Sequence, residues 1–271
     1  MIHEALFLLA SVLAFSVALM WVTWAVAWHI RNLGLVDVAW SFGFIPAALF
    51  YSIAAPGMEA RKIKVATLAI IWGGRLAWHV GSRVMRQHPR EDARYAVLRS
   101  KWALGLHWKT FLFFQLQAVL LALLSVVFLI PCMNDAKSTH YLEWLGLVMG
   151  LMAIAGESLA DFQLSKFRLN PVNHGKVCQT GLWRYSRHPN YFFEWLAWVG
   201  FFVMDLGSPW GWIAFMSPAF MLYFLLQVTG IPPTEELLLK SKGDAYREYQ
   251  KSTNAFIPWP RKFRAKGKRI P

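Results

Sequence analysis

Acidic side chains and cysteines are what this chain has least of. Its 271 residues hold 15 Asp and Glu against 28 Lys and Arg, and two cysteines, Cys132 and Cys178. The topology argued below puts those cysteines on opposite sides of a membrane, so they cannot pair and a disulfide framework is excluded. No Cys-x-x-Cys or His-x-x-Cys spacing is present, which leaves structural zinc without ligands. The first apolar block has no basic segment before it and no small-residue cleavage site after it, so it reads as a retained helix rather than a secretory leader. Internal repeats are absent, and no stretch is polar enough to form a separate soluble domain.

What the chain has in excess is apolar surface: 56% of its residues, with 15 Trp and 20 Phe. These residues fall in blocks near the length of about 20 that a helix needs to cross a bilayer. Seven blocks are expected, at 5–28, 36–55, 64–82, 111–131, 142–161, 190–205 and 209–230. The second and fifth carry acids at one end and the sixth is short. The expected fold is therefore all-α, a polytopic membrane protein of about seven spans in one membrane domain. If the N-terminus lies outside and the C-terminus in the cytoplasm, the inside segments 29–35, 83–110, 162–189 and 231–271 hold 23 of the 28 Lys and Arg. That is the positive-inside pattern, and it accounts for the charge of +13 without a nucleic-acid partner. The basic run from Arg261 to Arg269 reads as a segment held at anionic lipid headgroups.

Polar residues gathered at a helix mouth usually serve a purpose, because charge is expensive in the bilayer. The densest gathering is Arg184-Tyr-Ser-Arg-His-Pro-Asn-Tyr191, with Glu194 one turn into the next helix. Arginine forks suit pyrophosphate, and Arg184 and Arg187 lie three residues apart. His188 adds a hydrogen-bonding ring, while Asn190 and Glu194 sit one turn apart. Upstream, Glu157 and Asp161 share one helical face, joined by Arg168 if the helix continues. Pro171 and Gly175 are expected to end that helix and Pro189 to restart one, while Pro232-Pro233 closes the last span. Beyond it, 235–249 reads as a short amphipathic helix.

These residues resemble the signature of the steroid 5α-reductase C-terminal superfamily, most closely its bacterial branch of uncharacterised membrane reductases. The resemblance implies a membrane enzyme that uses a reduced nicotinamide cofactor, NADPH or NADH. Glu157, Asp161 and Arg168 fall at the spacing of that family's adenosine-binding Asn-x-x-x-Asp-x(6)-Arg, with Glu in place of Asn. Arg184, Tyr185, Arg187 and His188 match its cofactor-binding loop, and Asn190 and Glu194 its nicotinamide contacts. The closing Tyr249-Gln-Lys-Ser-Thr-Asn-Ala-Phe-Ile-Pro258 resembles the family's C-terminal pattern, and Glu235 and Glu236 occupy the place of a further cofactor contact. On this reading 142–258 binds cofactor, 1–131 supplies substrate-side helices and 259–271 is a basic tail.

The N-terminal third departs from the family. Steroid 5α-reductases carry Trp-x-x-Gln-Glu-x-Pro, whose Glu polarises a 3-keto group. This chain keeps Trp40 and Pro46 but has Gly43 and Phe44 between them, and Val80 where the partner tyrosine belongs. Asp37, at the membrane edge, is expected to meet Arg75 or His79, which lie four apart. His79 then becomes a proton donor set by Asp37, with Tyr95 a second candidate. Hydride delivery plus proton donation is what reduction of an activated C=C requires. The substrate is expected to be a lipophilic steroid- or isoprenoid-like molecule in an apolar slot near Trp21, Trp24, Trp28 and Trp40, with the site open to the cytoplasm of a bacterial inner membrane.

Two rival readings remain open. Arg187-His-Pro-Asn-Tyr191 followed by Glu235-Glu-Leu-Leu-Leu239 also resembles the isoprenylcysteine carboxyl methyltransferases, which use S-adenosylmethionine. A lipid-binding or transport protein is the non-enzymatic alternative, although the chain shows neither inverted repeats nor midplane polar sites.

Overall fold

The computed structural model describes residues 2–261, so Lys262 to Arg269 of the basic run lie outside the described residues. Eleven α-helices follow one another among the described residues: α1 (Ile2–His29), α2 (Leu35–Ala54), α3 (Glu59–Gln87), α4 (Ala93–Lys101), α5 (Leu106–Leu124), α6 (Val126–Met133), α7 (Tyr141–Leu169), α8 (Pro189–Asp205), α9 (Met216–Tyr223), α10 (Ile231–Lys242) and α11 (Asp244–Ser252). The only extended pairing among them is a single bridge between Ser186 and Asn254.

Among the described residues, five segments are long and apolar enough to cross a membrane: Ile2–His29, Leu35–Ala54, Leu106–Met133, Tyr141–Leu169 and Gly211–Lys242. The other two expected spans fail for different reasons. The 29 residues of α3 include Arg61, Lys62, Lys64, Arg75, Arg83 and Arg86, too much charge for a lipid-facing helix. At 17 residues, α8 is too short. The seven-span count and the orientation drawn from charge are accordingly not carried by the helices themselves. Proline placement also differs from expectation. Pro232 and Pro233 do not close a helix; they occupy the first turn of α10, where a missing N–H costs nothing. The expected single helix over 235–249 is two, broken at Gly243, whose φ of +55° an L side chain rarely adopts.

The chain forms two compact units, divided within α7 and α8 rather than at loops: Met1–Leu151 with Trp198–Phe220, and Met152–Ala197 with Met221–Pro271. In the first unit, α2 and α3 pack side by side around an aromatic core. Phe44 is fully buried and stands edge-on to Trp40, Trp72 and Trp198 at ring separations of 4.7, 5.3 and 5.3 Å, with Phe128 at 6.0 Å. Rings of this size bury 150–250 Å² each, and edge-to-face pairing adds to that burial. The neighbouring Gly43 lets α5 approach: a Cβ there would sit 2.5 Å from Leu121 Cδ1. A Gln-Glu pair at 43–44 would drive a carboxylate into the aromatic core and a side chain into α5, which is a packing reason for the departure noted above.

At the start of α3 lies a buried ionic knot. Arg61, 1% exposed, donates to Glu143 Oε1 at 2.9 Å and to the carbonyls of Asn134 and Ser138 at 2.6 and 2.9 Å. Lys64 Nζ lies 2.5 Å from the other Glu143 oxygen. The knot ties the loop between α6 and α7 to α3. It also explains how so charged a helix start is buried: its charges are paired and hydrogen-bonded.

Within the same unit α7 and α8 touch backbone to backbone. A Cβ on Gly146 would overlap Gly200 O, and one on Gly200 would lie 2.8 Å from Gly150 N. Gly146→Ala is therefore expected to lower the unfolding free energy by about 1–3 kcal/mol, the usual cost of overpacking. Thermal unfolding in detergent would check this; an unchanged melting temperature would mean the helices part without cost.

In the second unit the closing segment braces the loop that leads into α8. Arg187 N donates to Asn254 O at 2.9 Å and His188 N to Ala255 O at 3.1 Å. Tyr249 OH donates to Trp183 O and, at 3.1 Å, to Ser186 O. From the other side, α7 holds the same loop: Leu182 N donates to Gln163 Oε1 at 2.8 Å and Trp183 Nε1 to Ala160 O at 2.9 Å. Phe256 packs on Phe192 and Trp195.

Candidate functional site

Polar residues gather in each unit, and the two groups are described separately. In the second unit, Glu157 and Asp161 are both buried, one turn apart on α7, as their spacing predicts. The helix continues to Leu169, so Arg168 lies in its last turn, exposed. Asn190, in the first turn of α8, donates from Nδ2 to Asp161 Oδ1 at 3.3 Å. Its own Oδ1 is buried and has no hydrogen-bond partner among the described residues. Glu194, one turn further, is also buried. The two segments that sequence reading joined only by analogy thus meet through Asn190 and Asp161.

The loop arginines differ from one another. Arg184 and Tyr185 are exposed and available to a ligand. Arg187 is largely committed within the protein: Nε donates to Glu235 Oε1 at 2.7 Å, and Nη1 to the carbonyls of Gln250 and Thr253 at 3.1 and 2.6 Å. Glu235 also receives His188 Nε2 at 3.2 Å, Tyr246 OH at 3.2 Å and Gln250 Nε2 at 2.7 Å. His188 is buried and stacks on Tyr191 at 5.4 Å. Burial holds its imidazole below the ordinary value and the Arg187 charge adds to this, against the pull of Glu235. Tyr249 is a backbone brace, with both its printed contacts to loop carbonyls. Tyr246 and Gln250, which complete the Glu235 node, were missed by sequence reading; they lie four residues apart on α11, Tyr246 within its buried face, a pattern that marks packing and not partners.

In the first unit, Asp37 is held by residues from α4. Tyr95 OH donates to Asp37 Oδ1 at 2.6 Å, and Arg94 Nη2 to Asp37 Oδ2 at 3.1 Å. The expected partners, Arg75 and His79, are not those that hold it. Asp92 caps α4 by accepting from Arg94 N at 3.0 Å and binds the same guanidinium at 3.1 Å. Burial alone would raise the Asp92 carboxyl, but the charge and hydrogen bonds of Arg94, with Arg83 beyond, hold it below the carboxylate range. Glu91 accepts from Leu33 N at 2.6 Å and from Arg99 at 3.0 Å, docking α4 against the turn between α1 and α2. Tyr95 is buried, and burial first, then the Asp37 charge, pushes its phenol well above the ordinary value. Such a hydroxyl keeps its proton at neutral pH and hydrogen-bonds a carboxylate that fixes its direction. Among the tryptophans expected to form a slot, Trp21 is 60% exposed on the outer face of α1, Trp24 and Trp28 enclose His107, and only Trp40 enters the core.

Comparison with known proteins adds three findings. A curated protein of Schizosaccharomyces pombe, described as uncharacterized, is 25% identical over 267 residues, covering 88% of this chain and 76% of its own. No solved structure matches. A family described as "Protein of unknown function (DUF1295)" matches residues 23–253, a range that takes in both polar groups from Asp37 to Thr253. The chain therefore belongs to the DUF1295 family.

Proposed function

We propose that this protein is a membrane-embedded, NADPH-dependent reductase of the steroid 5α-reductase-like kind, acting on an activated C=C of a lipophilic steroid- or isoprenoid-like substrate. NADH is a second possible donor. The reading places seven spans in a bacterial inner membrane, N-terminus outside, with the site open to the cytoplasm. The single observation that carries it is the unmet Asn190 Oδ1, buried beside Asp161 at the point where α7 and the signature loop meet. A buried acceptor without a partner costs about 1–3 kcal/mol, so it favours a ligand that brings an N–H. A carboxamide does. The exposed Arg184 and Arg168 suit phosphates.

A bound nicotinamide cofactor supplies the hydride; this chain's residues hold it and supply the proton. Tyr95 stands beside His79 as a proton donor in this proposal: its phenol is protonated, and its one O–H, held by Asp37, must swing to the substrate to deliver that proton. Loss of its proton leaves a phenolate that Arg94, bound to the same carboxylate, is charged to stabilise.

Melting temperature in detergent with NADPH, NADH or S-adenosylmethionine tests the proposal. A ligand at 100 times its Kd stabilises by about 2.7 kcal/mol. A rise with a nicotinamide cofactor, lost in Arg184→Ala and Asn190→Ala, is the expected result. A rise with S-adenosylmethionine alone would replace the reductase with a methyltransferase, and no rise with any would point to a protein without a nucleotide cofactor.

A further inference from the structure

The Glu235 carboxylate is the most heavily coordinated side chain in the second unit. Four groups donate to it: Arg187 Nε, His188 Nε2, Tyr246 OH and Gln250 Nε2. An ionised carboxylate only accepts hydrogen bonds. The His188 nitrogen that faces it must therefore carry the proton, and a neutral ring then has a bare Nδ1. The His188 ring is clamped in that orientation by Tyr191, stacked 6° from parallel, and by its backbone N–H on Ala255 O. Nδ1 has no hydrogen-bond partner among the described residues. Neither has Arg187 Nη2, since Nε and Nη1 take up all the contacts of that guanidinium.

The signature thus leaves two unmet groups, an imidazole lone pair and a guanidinium N–H edge. A phosphate oxygen has lone pairs alone, and the imidazole lone pair repels it. A hydroxyl can donate, so it suits the bare Nδ1. We propose that Glu235 is a positioning residue which fixes His188 as its Nε2–H tautomer, so that Nδ1 accepts from a hydroxyl of the cofactor, such as a ribose hydroxyl, and does not meet a phosphate. This rests on the cofactor reading above. It assigns phosphate recognition away from His188, and it gives Glu235 an indirect role, through His188, instead of a contact of its own. Both a nicotinamide dinucleotide and S-adenosylmethionine carry ribose hydroxyls, so the tautomer argument does not depend on which of them binds.

The test is ¹⁵N NMR of the detergent-solubilised full chain with labelled histidine, the His188 ring being assigned by its loss in His188→Asn. Without ligand at pH 7, Nε2 is expected to resonate as a protonated nitrogen and Nδ1 as an unprotonated one. In Glu235→Ala the ring is expected to become a tautomer mixture or to take the other tautomer; a brace with no effect on the ring would leave it unchanged. An imidazolium, or an Nδ1–H tautomer, in the native protein overturns the proposal. Adding NADPH, and separately S-adenosylmethionine, is expected to move Nδ1 toward a hydrogen-bonded position for the nucleotide that raises the melting temperature. Glu235→Gln is expected to weaken that nucleotide about tenfold. A nucleotide that binds while Nδ1 stays put overturns the hydroxyl contact. If neither nucleotide binds, the cofactor reading and the hydroxyl contact both fall, whereas the apo tautomer result still reports on Glu235.

Discussion

Arg61→Met lowers the unfolding free energy by about 3–5 kcal/mol, the cost of stranding a buried charge when its partner is removed. Glu143 is 0% exposed and is left with Lys64 and the His140 N–H, while the carbonyls of Asn134 and Ser138 lose their Arg61 donor. The side-chain volume is nearly kept, so the loss measures charge and hydrogen bonds rather than a cavity. Denaturant unfolding of the detergent-solubilised protein reads it. Glu143→Gln is expected to cost nearly as much, because it leaves Arg61 and Lys64 buried with no anion. Changing all three, Arg61→Met and Lys64→Met with Glu143→Leu, is expected to recover part of the loss, since charges removed together leave none stranded. A loss below about 1 kcal/mol for Arg61→Met, the range of an exposed ion pair, would mean water reaches the knot.

The second large effect falls on turnover. In Tyr95→Phe the rate of NADPH oxidation with a lipophilic enone is expected to fall about 10²–10⁴-fold, the range that general-acid catalysis contributes. The nucleotide-induced rise in melting temperature should remain, because Tyr95 belongs to the first unit and the residues proposed to hold the nucleotide to the second. Asp37→Asn removes the charge that aims the phenol and is expected to fall on kcat in the same direction. His79→Gln separates the two candidate acids. If His79→Gln abolishes turnover and Tyr95→Phe leaves it intact, the proton comes from His79 and the Tyr95–Asp37 contact is structural.

Particular residues show how far the sequence carries. Hydrophobic blocks located most helices, since a run of apolar residues has one physical solution in lipid. They do not show why the charged start of α3 lies inside the protein: Glu143 and backbone carbonyls pair it, and Glu143 is 82 residues from Arg61 in sequence. They misjudged Pro232 and Pro233, because proline opens a helix as readily as it ends one. In the site, Glu157, Asp161, Asn190 and Glu194 were legible from spacing alone, as fixed offsets on two helices. Asp37 was legible as an acid at the membrane edge, but its partner was not. Residues four apart in α3 looked convenient, yet the guanidinium and phenol came from α4, which docks through the Glu91–Arg99 and Glu91–Leu33 contacts. The different roles of Arg184 and Arg187 were not legible either, because nothing local to the signature shows that Gln250 and Thr253 turn their carbonyls toward one of them.

The pairing of the signature with Asn254, Ala255 and Phe256 has a consequence for the order in which the protein is made. The loop from Arg184 to His188 leaves the ribosome well before the backbone that fixes it, with roughly 65 residues still to be added, several seconds at 5–20 residues per second. During that interval α7 and its carboxylates can settle in the membrane while Arg187 has neither Glu235 nor the Thr253 carbonyl to hold it. The loop from Arg184 to His188 is thus among the last parts of the second unit to set. A nascent chain carries its polar side chains but not the contacts that hold them, and a chain stopped before Asn254 leaves that loop unbraced.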